Sequence, residues 1–350
     1  MGQIKGFPYA RFAQNRTVEE AGQMFRQRIE DALEIHARHH DSFSTRPCPY
    51  CGSAKSVELE KFHGAYGISR CDLCASPFVN PAPGLNALED YYNNCECNKM
   101  MDRIYRARAQ APADFINDHR VRTTIEYLKQ AKDPMNLRVL EIGCGSGSFL
   151  QKLRSAVDAE ASSSIRISEY TGIDIDANAI ALGQGKGVNL VSSSVEAFAK
   201  EQRDAYDIVL HFELIEHLFD PTQFMVDARA LLKPDGVMIF TTPNANGLEM
   251  IASHYNSFRL LAHSIFPPMH LNAFSTVNIS HFALRNGFAV VDIQTPGALD
   301  VDMVTVSKDH VEDEGLKAVA EFDDHEKGVL QHVLIACKAS SHMRCVLRKA

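Results

Sequence analysis

From Arg138 onward, apolar runs of strand length alternate with segments of helical spacing. The runs are RVLEIG, YTGIDI, NLVSS, YDIVLHF, GVMIFTT, FAVVDIQ and SSHMRCVLRK, and helices are predicted between them at 147–157, 177–185, 221–232 and 276–286. This alternation predicts an α/β fold, a mostly parallel seven-stranded sheet with helices on both faces. A charged, helix-prone insert at 300–340, centred on 311–338, separates the last two strands. Upstream, Val18, Ala21, Met24, Phe25, Ile29, Ala32, Leu33 and Ile35 approximate helical spacing after a Thr17 cap, which predicts an amphipathic helix over 17–40. The Cys-, Gly- and Pro-rich stretch 47–83 suits turns and short ribbons, and 85–132 reads as helices leading to the core through Val121, Ile125 and Leu128. The expected units are an N-terminal helical segment (1–45), a small ribbon (46–82), a helical linker or lid (83–131) and the main domain (132–350).

Composition narrows the functional classes. A chain of 350 residues with 45% hydrophobic and 23% charged positions can bury one large core and a satellite. Its 36 basic and 44 acidic residues give a net charge of -8, which disfavours nucleic acid as the main partner. Arg103, Arg106, Arg108, Arg120 and Arg122 are read as a solvated helix face. The N-terminal MGQIKGFPYARFAQNR has no apolar leader and no run approaches the ~18 apolar residues of a membrane span, so a soluble cytoplasmic protein without membrane contact is expected.

The segment VLEIGCGSGSFL carries the strongest chemical signal. A strand ending at Glu141 runs into Gly143, Gly145 and Gly147, a turn on which a ligand can lie against bare backbone. About thirty residues on, YTGIDIDANAIALG ends a second strand at Asp174, placed to hold both hydroxyls of an adenosine ribose. Spacing alone does not separate a nicotinamide dinucleotide from S-adenosylmethionine. The ExGCGxG form with GIDID resembles the class I S-adenosylmethionine-dependent methyltransferases, which have a Rossmann-like sheet. That resemblance implies that the turn of Glu141, Gly143 and Gly145 carries the methionine end and Asp174 the ribose. It also assigns Ile175, Val195 and Phe212 to the cofactor pocket, with Ser194 standing where the family often has an Asp for adenine.

YDIVLHFELIEHLFDP brings Glu213, Glu216 and His217 to the end of the fourth strand, where ligand crevices open. In a helix these three would share one face, and two carboxylates with an imidazole suit a divalent cation. With His270 in PPMHLNAFS, the cluster resembles the metal-dependent branch containing small-RNA ribose methyltransferases and ubiquinone-pathway O-methyltransferases. That implies Glu213, Glu216, His217 and His270 as catalytic residues and as ligands of Mg2+ or Mn2+. The competing reading has the carboxylate capping a helix and the His acting as a base without metal. Asp300 and Asp302 in TPGALDVDMV and His342 in SSHMRCVLRK are expected near the acceptor pocket, and the stretch resembles a methyltransferase subgroup found near saccharide-modifying genes.

Cys48 and Cys51 in CPYCGS, with Cys71 and Cys74 in CDLCAS, have the spacing of a zinc ribbon with a closed structural Zn2+ site. Similar ribbons followed by FVNP and a Tyr pair, here Tyr91 and Tyr92, precede the core in sugar-tailoring methyltransferases, so the resemblance runs from Cys48 through nearly the whole chain. The expected function is O-methylation of a small-molecule hydroxyl on a saccharide or nucleotide sugar. The same residues admit C-methylation of a deoxysugar, ribose 2'-O-methylation at an RNA 3' end, or a non-catalytic ribbon protein.

Overall fold

A computed structural model describes residues 18–108, 115–159, 164–248, 250, 264–297, 300–306, 308–311 and 313–350. The stretch before Val18 with its Thr17 cap lies outside them, as do the side chains of Val18, Ala21, Arg106 and Arg108.

Three strands precede the main sheet: β1 (Ser56–Phe62), β2 (Tyr66–Cys71) and β3 (Pro77–Val79) form an antiparallel ribbon in that order. The main sheet contains β4 (Leu137–Ile142), β5 (Ile167–Asp174), β6 (Asn189–Ser192), β7 (Tyr206–Phe212), β8 (Leu232–Pro243), β9 (Phe288–Gln294) and β10 (His342–Lys349). Their order is β6-β5-β4-β7-β8-β10-β9, with β4 to β8 parallel and β10 antiparallel to both its neighbours. All seven predicted strands are therefore present, although β4 extends one residue past Glu141.

Side-chain alternation explains the two covered faces. Along β4, β7 and β8, Leu140, Val209 and Met238 join one core cluster, whereas Val139, Leu210 and Ile239 join the other. Neighbouring strand residues point to opposite faces, so runs apolar at every position need cover on both. Phe224 and Met225 from the helix Pro221–Leu231 cover the first face. Leu150 and Leu153 from Ser148–Ala159, with Leu128 ending Phe115–Leu128, cover the second. The helix Val195–Glu201 was not expected, because its seven residues are too few for a periodic signal; Ser194 caps it by accepting from Ala197 N at 3.2 Å.

Because the chain leaves β4 toward β5 and β6 and returns to its other side with β7, a crevice opens beyond the strand ends. Glu141, Asp174 and Glu213 stand at that edge. The ribbon packs against the same body, since Cys48, Tyr50, Cys71 and Phe78 belong to the core cluster containing Phe274 and Phe282. The insert forms helices Asp300–Val306 and Asp324–Ala336 with short turns between them, around Val301, Val304, Val311, Val319 and Leu334. Among the described residues no helix is long and apolar enough to cross a membrane.

Candidate active site

The glycine turn is shaped by hydrogen bonds from the neighbouring strand. Gly143 N and Cys144 N both donate to Ile173 O, at 2.9 and 3.2 Å, and Gly145 N donates to Asp174 Oδ2 at 2.8 Å. Asp176 N donates to the other Asp174 oxygen at 2.9 Å, so each carboxylate oxygen is held by one N–H and keeps a lone pair for a ligand. Gly145 has φ +52°, and a Cβ added there would meet nothing within 4 Å, so its bare face looks onto open space. Ile175 next to Asp174 is 80% exposed, unusual for a large apolar residue at a strand end. Cys144 is buried, and burial pushes its thiol up, away from any nucleophilic role.

Glu141 is buried, and its Oε2 has no hydrogen-bond partner among the described residues. Burial pushes this carboxyl up to about 8; Arg120 opposes the shift and Asp174 adds to it. Such an orphaned acceptor is costly unless a ligand completes it.

Beyond β7 the backbone turns sharply. Glu213 adopts φ +50°, a left-handed conformation that costs a non-glycine residue roughly 1–2 kcal/mol. Its Oε1 accepts from Thr241 Oγ1 at 2.6 Å and Arg120 Nη2 at 3.1 Å, while Oε2 lies 3.5 Å from His342 Nε2. Burial would raise this carboxyl, but His342 and Arg120 hold it well below the usual range. Arg120 is therefore no solvated residue. Its guanidinium also lies 4.5 Å from the centre of the Phe212 ring, and its side chain is only 16% exposed.

Glu216, His217 and His270 come together, each offering one ligand atom within 4.8 Å of the others. Glu213 does not join them: it precedes the single 3-10 turn Ile215–His217, and its left-handed backbone directs its carboxylate to Arg120 and Thr241. Glu216 is buried; Oε2 accepts from Thr242 Oγ1 at 2.8 Å and Oε1 has no hydrogen-bond partner among the described residues. Burial, with Glu213 nearby, pushes Glu216 up to about 8, and burial brings His217 down to about 4. His217 Nδ1 lies 3.0 Å from Met269 O and 2.9 Å from Tyr92 Oη. The Met269 carbonyl only accepts, so this contact calls for a hydrogen on Nδ1, and Nε2 lies 3.7 Å from Glu216 Oε1. The rings of His217 and His270 meet edge-on at 4.6 Å.

Other expected residues are placed differently. Ser194 Oγ is engaged in its helix cap. Asp300 accepts from Gln331 Nε2, Ser340 Oγ and Ser341 N, which ties the insert to β10. Asp302 is buried, and His342 opens β10 beside Glu213. Tyr91 is buried in the linker core, whereas Tyr92 reaches the histidine cluster. Sequence reasoning missed Arg46, Met269, Thr241, Thr242 and Asn272, all acting on this region through folding alone; only the Thr pair at the end of β8 carried a positional signal.

The family model described as a methyltransferase domain matches residues 107–293, more than half of the chain. The chain belongs to the S-adenosylmethionine-dependent methyltransferase family. Residues of this methyltransferase are 30% identical over 150 positions to the ubiquinone biosynthesis O-methyltransferase of Xanthomonas axonopodis pv. citri (strain 306), covering 42% of this chain and 59% of that protein. The protein of the same name from Nitrosospira multiformis is 35% identical over 114 residues, 31% of this chain and 44% of the relative. The chain thus spans about half the length of the curated relatives it matches. Among solved structures, a SAM dependent methyltransferase from Archaeoglobus fulgidus aligns with TM-score 0.44 and 18% identity over 70% of this chain and 99% of that one. The plantazolicin methyltransferase BpumL, in complex with a pentazolic desmethylPZN analog and SAH, aligns with TM-score 0.48 and 14% identity over 75% of this chain and 93% of its own.

The four ribbon cysteines also converge. Cys48 Sγ lies 3.6 Å from Cys74 Sγ and Cys51 Sγ 3.5 Å from Cys71 Sγ, with all four sulfurs within 4.8 Å of one another.

Proposed function

We propose that this methyltransferase moves the methyl group of S-adenosylmethionine to a hydroxyl oxygen of a small molecule, with a saccharide or nucleotide sugar as the acceptor class. The observation that carries this reading is the cluster of Glu216, His217 and His270, two of them buried, at the turn whose Leu214 packs next to Gly143. On the cofactor side, the open face of Gly145 with Gly143 would carry the methionine end, the orphaned Glu141 oxygen would accept from its ammonium, and Asp174 would hold the ribose diol. Exposed Ile175, with Val195 and Phe212, would line the apolar wall, and the Ser194 backbone remains for adenine because its hydroxyl is spent on the cap.

On the acceptor side, His217 Nε2 takes the hydroxyl proton as the oxygen attacks. The new C–O bond forms in line as the C–S bond breaks, and S-adenosylhomocysteine leaves. In a metal-assisted form of this step Glu216, His217 and His270 would instead hold a divalent cation such as Mg2+ or Mn2+, since a buried carboxyl oxygen with no hydrogen-bond partner among the described residues lies beside two imidazoles, and His217 would then be a ligand and not the base. Such a cation supplies a lowered hydroxyl pKa when bound. Glu213, already occupied by Arg120 and Thr241, would brace the turn rather than coordinate. Cys48, Cys51, Cys71 and Cys74 would hold structural Zn2+, because tetrahedral Zn–S bonds of about 2.3 Å put sulfurs about 3.8 Å apart, near the observed spacings.

A phenolic acceptor is the second reading, favoured by the names of the relatives. Incubating the protein with S-adenosylmethionine, nucleotide sugars and catechols, with and without Mg2+, and locating the methyl group by NMR tests both. An O-methyl sugar is expected. An O-methyl phenol would move the acceptor to the second class, and a new C–methyl bond formed without metal would overturn oxygen as the methylated atom.

A further inference from the structure

The ribbon's two ends grip the segment that carries His270. Before the first cysteine pair, Arg46 spreads its guanidinium over four acceptors from three stretches of chain. Nε donates to Val79 O at 3.2 Å and Nη1 to Phe219 O at 2.8 Å, while Nη2 reaches Leu271 O at 2.9 Å and Asn272 Oδ1 at 3.0 Å. After the second pair, Val79 N donates to Leu271 O at 3.0 Å, and Phe78 bridges to Asn272. Asn272 passes the grip to the other loop. Its Nδ2 donates to Leu218 O at 2.7 Å, and Leu271 N and Asn272 N both donate to Glu216 O, at 2.8 and 3.1 Å.

We propose that Arg46 is a positioning residue for methyl transfer, which registers the loop bearing Glu216 and His217 against the loop bearing His270 and sets both on the cysteine module. A planar guanidinium with five donors can satisfy carbonyls from several stretches at once, which a lysine ammonium on a flexible stem cannot do in the same plane. The four thiolates fix the separation of Arg46 and Val79, and both residues hold Leu271. Closing the metal site therefore fixes where His270 sits relative to His217. Among the described residues no hydrogen bond of this linkage reaches Asp174 or the glycine turn, so its loss would act chiefly on the acceptor side.

The inference rests on the cysteine cluster being a metal site and on the histidine cluster serving the acceptor. Both are checked separately, by the metal content of the purified full-length protein and by turnover of His217→Ala. The test compares wild type, Arg46→Lys and Arg46→Met, with histidine ring nitrogens read by NMR, amide exchange followed at residues 215–219 and 271–272, and S-adenosylhomocysteine affinity measured by calorimetry. In Arg46→Met, exchange at Leu271 and Asn272 is expected to rise at least roughly tenfold, the worth of losing a charged hydrogen bond. The His217 and His270 ring signals shift while S-adenosylhomocysteine affinity stays within about twofold, the range of a surface change distant from the ligand. Millimolar guanidinium restores the ring signals, and Arg46→Lys does not. Ring signals unchanged in a folded Arg46→Met or Arg46→Lys protein would overturn the proposal, as would an equal loss of cofactor affinity. Arg46→Lys keeps the charge and the stem, so its ring signals decide between these outcomes if Arg46→Met fails to fold.

Discussion

The two halves of the crevice are built in different ways. The half proposed for the cofactor comes from one strand–turn–helix–strand unit, in which the strand of Glu141, the glycines and Asp174 are joined by hydrogen bonds between adjacent parallel strands. The half proposed for the acceptor is gathered from Arg46, Tyr92, Glu216, His217, Met269, His270 and Asn272, which meet only because the ribbon and linker pack on the core. A local unit tolerates change elsewhere, because its geometry is set by neighbouring backbone. An assembled site depends on every segment that contributes, and each can disturb it independently.

Four substitutions would break or sharpen that contrast. His217→Ala should lower turnover by roughly 10²–10⁴-fold with unchanged S-adenosylhomocysteine affinity, as expected for loss of a general base. A joint loss of binding and turnover in steady-state kinetics and calorimetry would place His217 in the cofactor half instead. Cys71→Ser should lower the thermal midpoint by roughly 10 °C, because the opened metal site leaves cysteines that pack in the main core. Differential scanning calorimetry reads this, and an unchanged midpoint would count against a structural metal.

Asp174→Asn should weaken S-adenosylhomocysteine by about tenfold or more through loss of charged hydrogen bonds to the ribose. Titration calorimetry measures it, and the His217 and His270 ring signals should not move. The smallest effect concerns Glu141. Its folded carboxyl is raised to about 8 by burial, so the folded protein keeps a proton that the unfolded chain has released. Stability of the cofactor-free protein therefore falls as pH rises from the ordinary carboxyl value of 4.5 to about 8. Glu141→Gln should reduce that slope without abolishing it, because Glu216 is raised to the same range, for a gain of about 1 kcal/mol at pH 8. Denaturant midpoints at pH 5 and pH 8 check it, and an unaltered slope in the variant would show that Glu141 is not its source.

Expectations failed where a residue's role depended on partners far along the chain. Glu213 fits a ligand set by its spacing, but the left-handed turn after β7 directs it to Arg120 and Thr241. Arg120 fits an exposed helix face, yet the end of β8 and the Phe212 ring enclose it. Asp300 fits a pocket lining, but three donors near β10 consume its carboxylate. Arg46 gave no signal at all, because a guanidinium that binds main-chain carbonyls leaves no residue pattern to match.

The sequence by itself determined the sheet, its two covered faces, the glycine turn with its paired acid and the two cysteine pairs. Each is written in short-range spacing, set by the two-residue period of strands, the conformational freedom of glycine and the reach of thiols toward one tetrahedral centre. Only the tertiary structure decided which carboxylate meets the histidines, which carbonyl holds His217 and how the ribbon grips their loops. Those outcomes depend on backbone carbonyls and packed segments brought together from distant positions, and a carbonyl is the same at every residue.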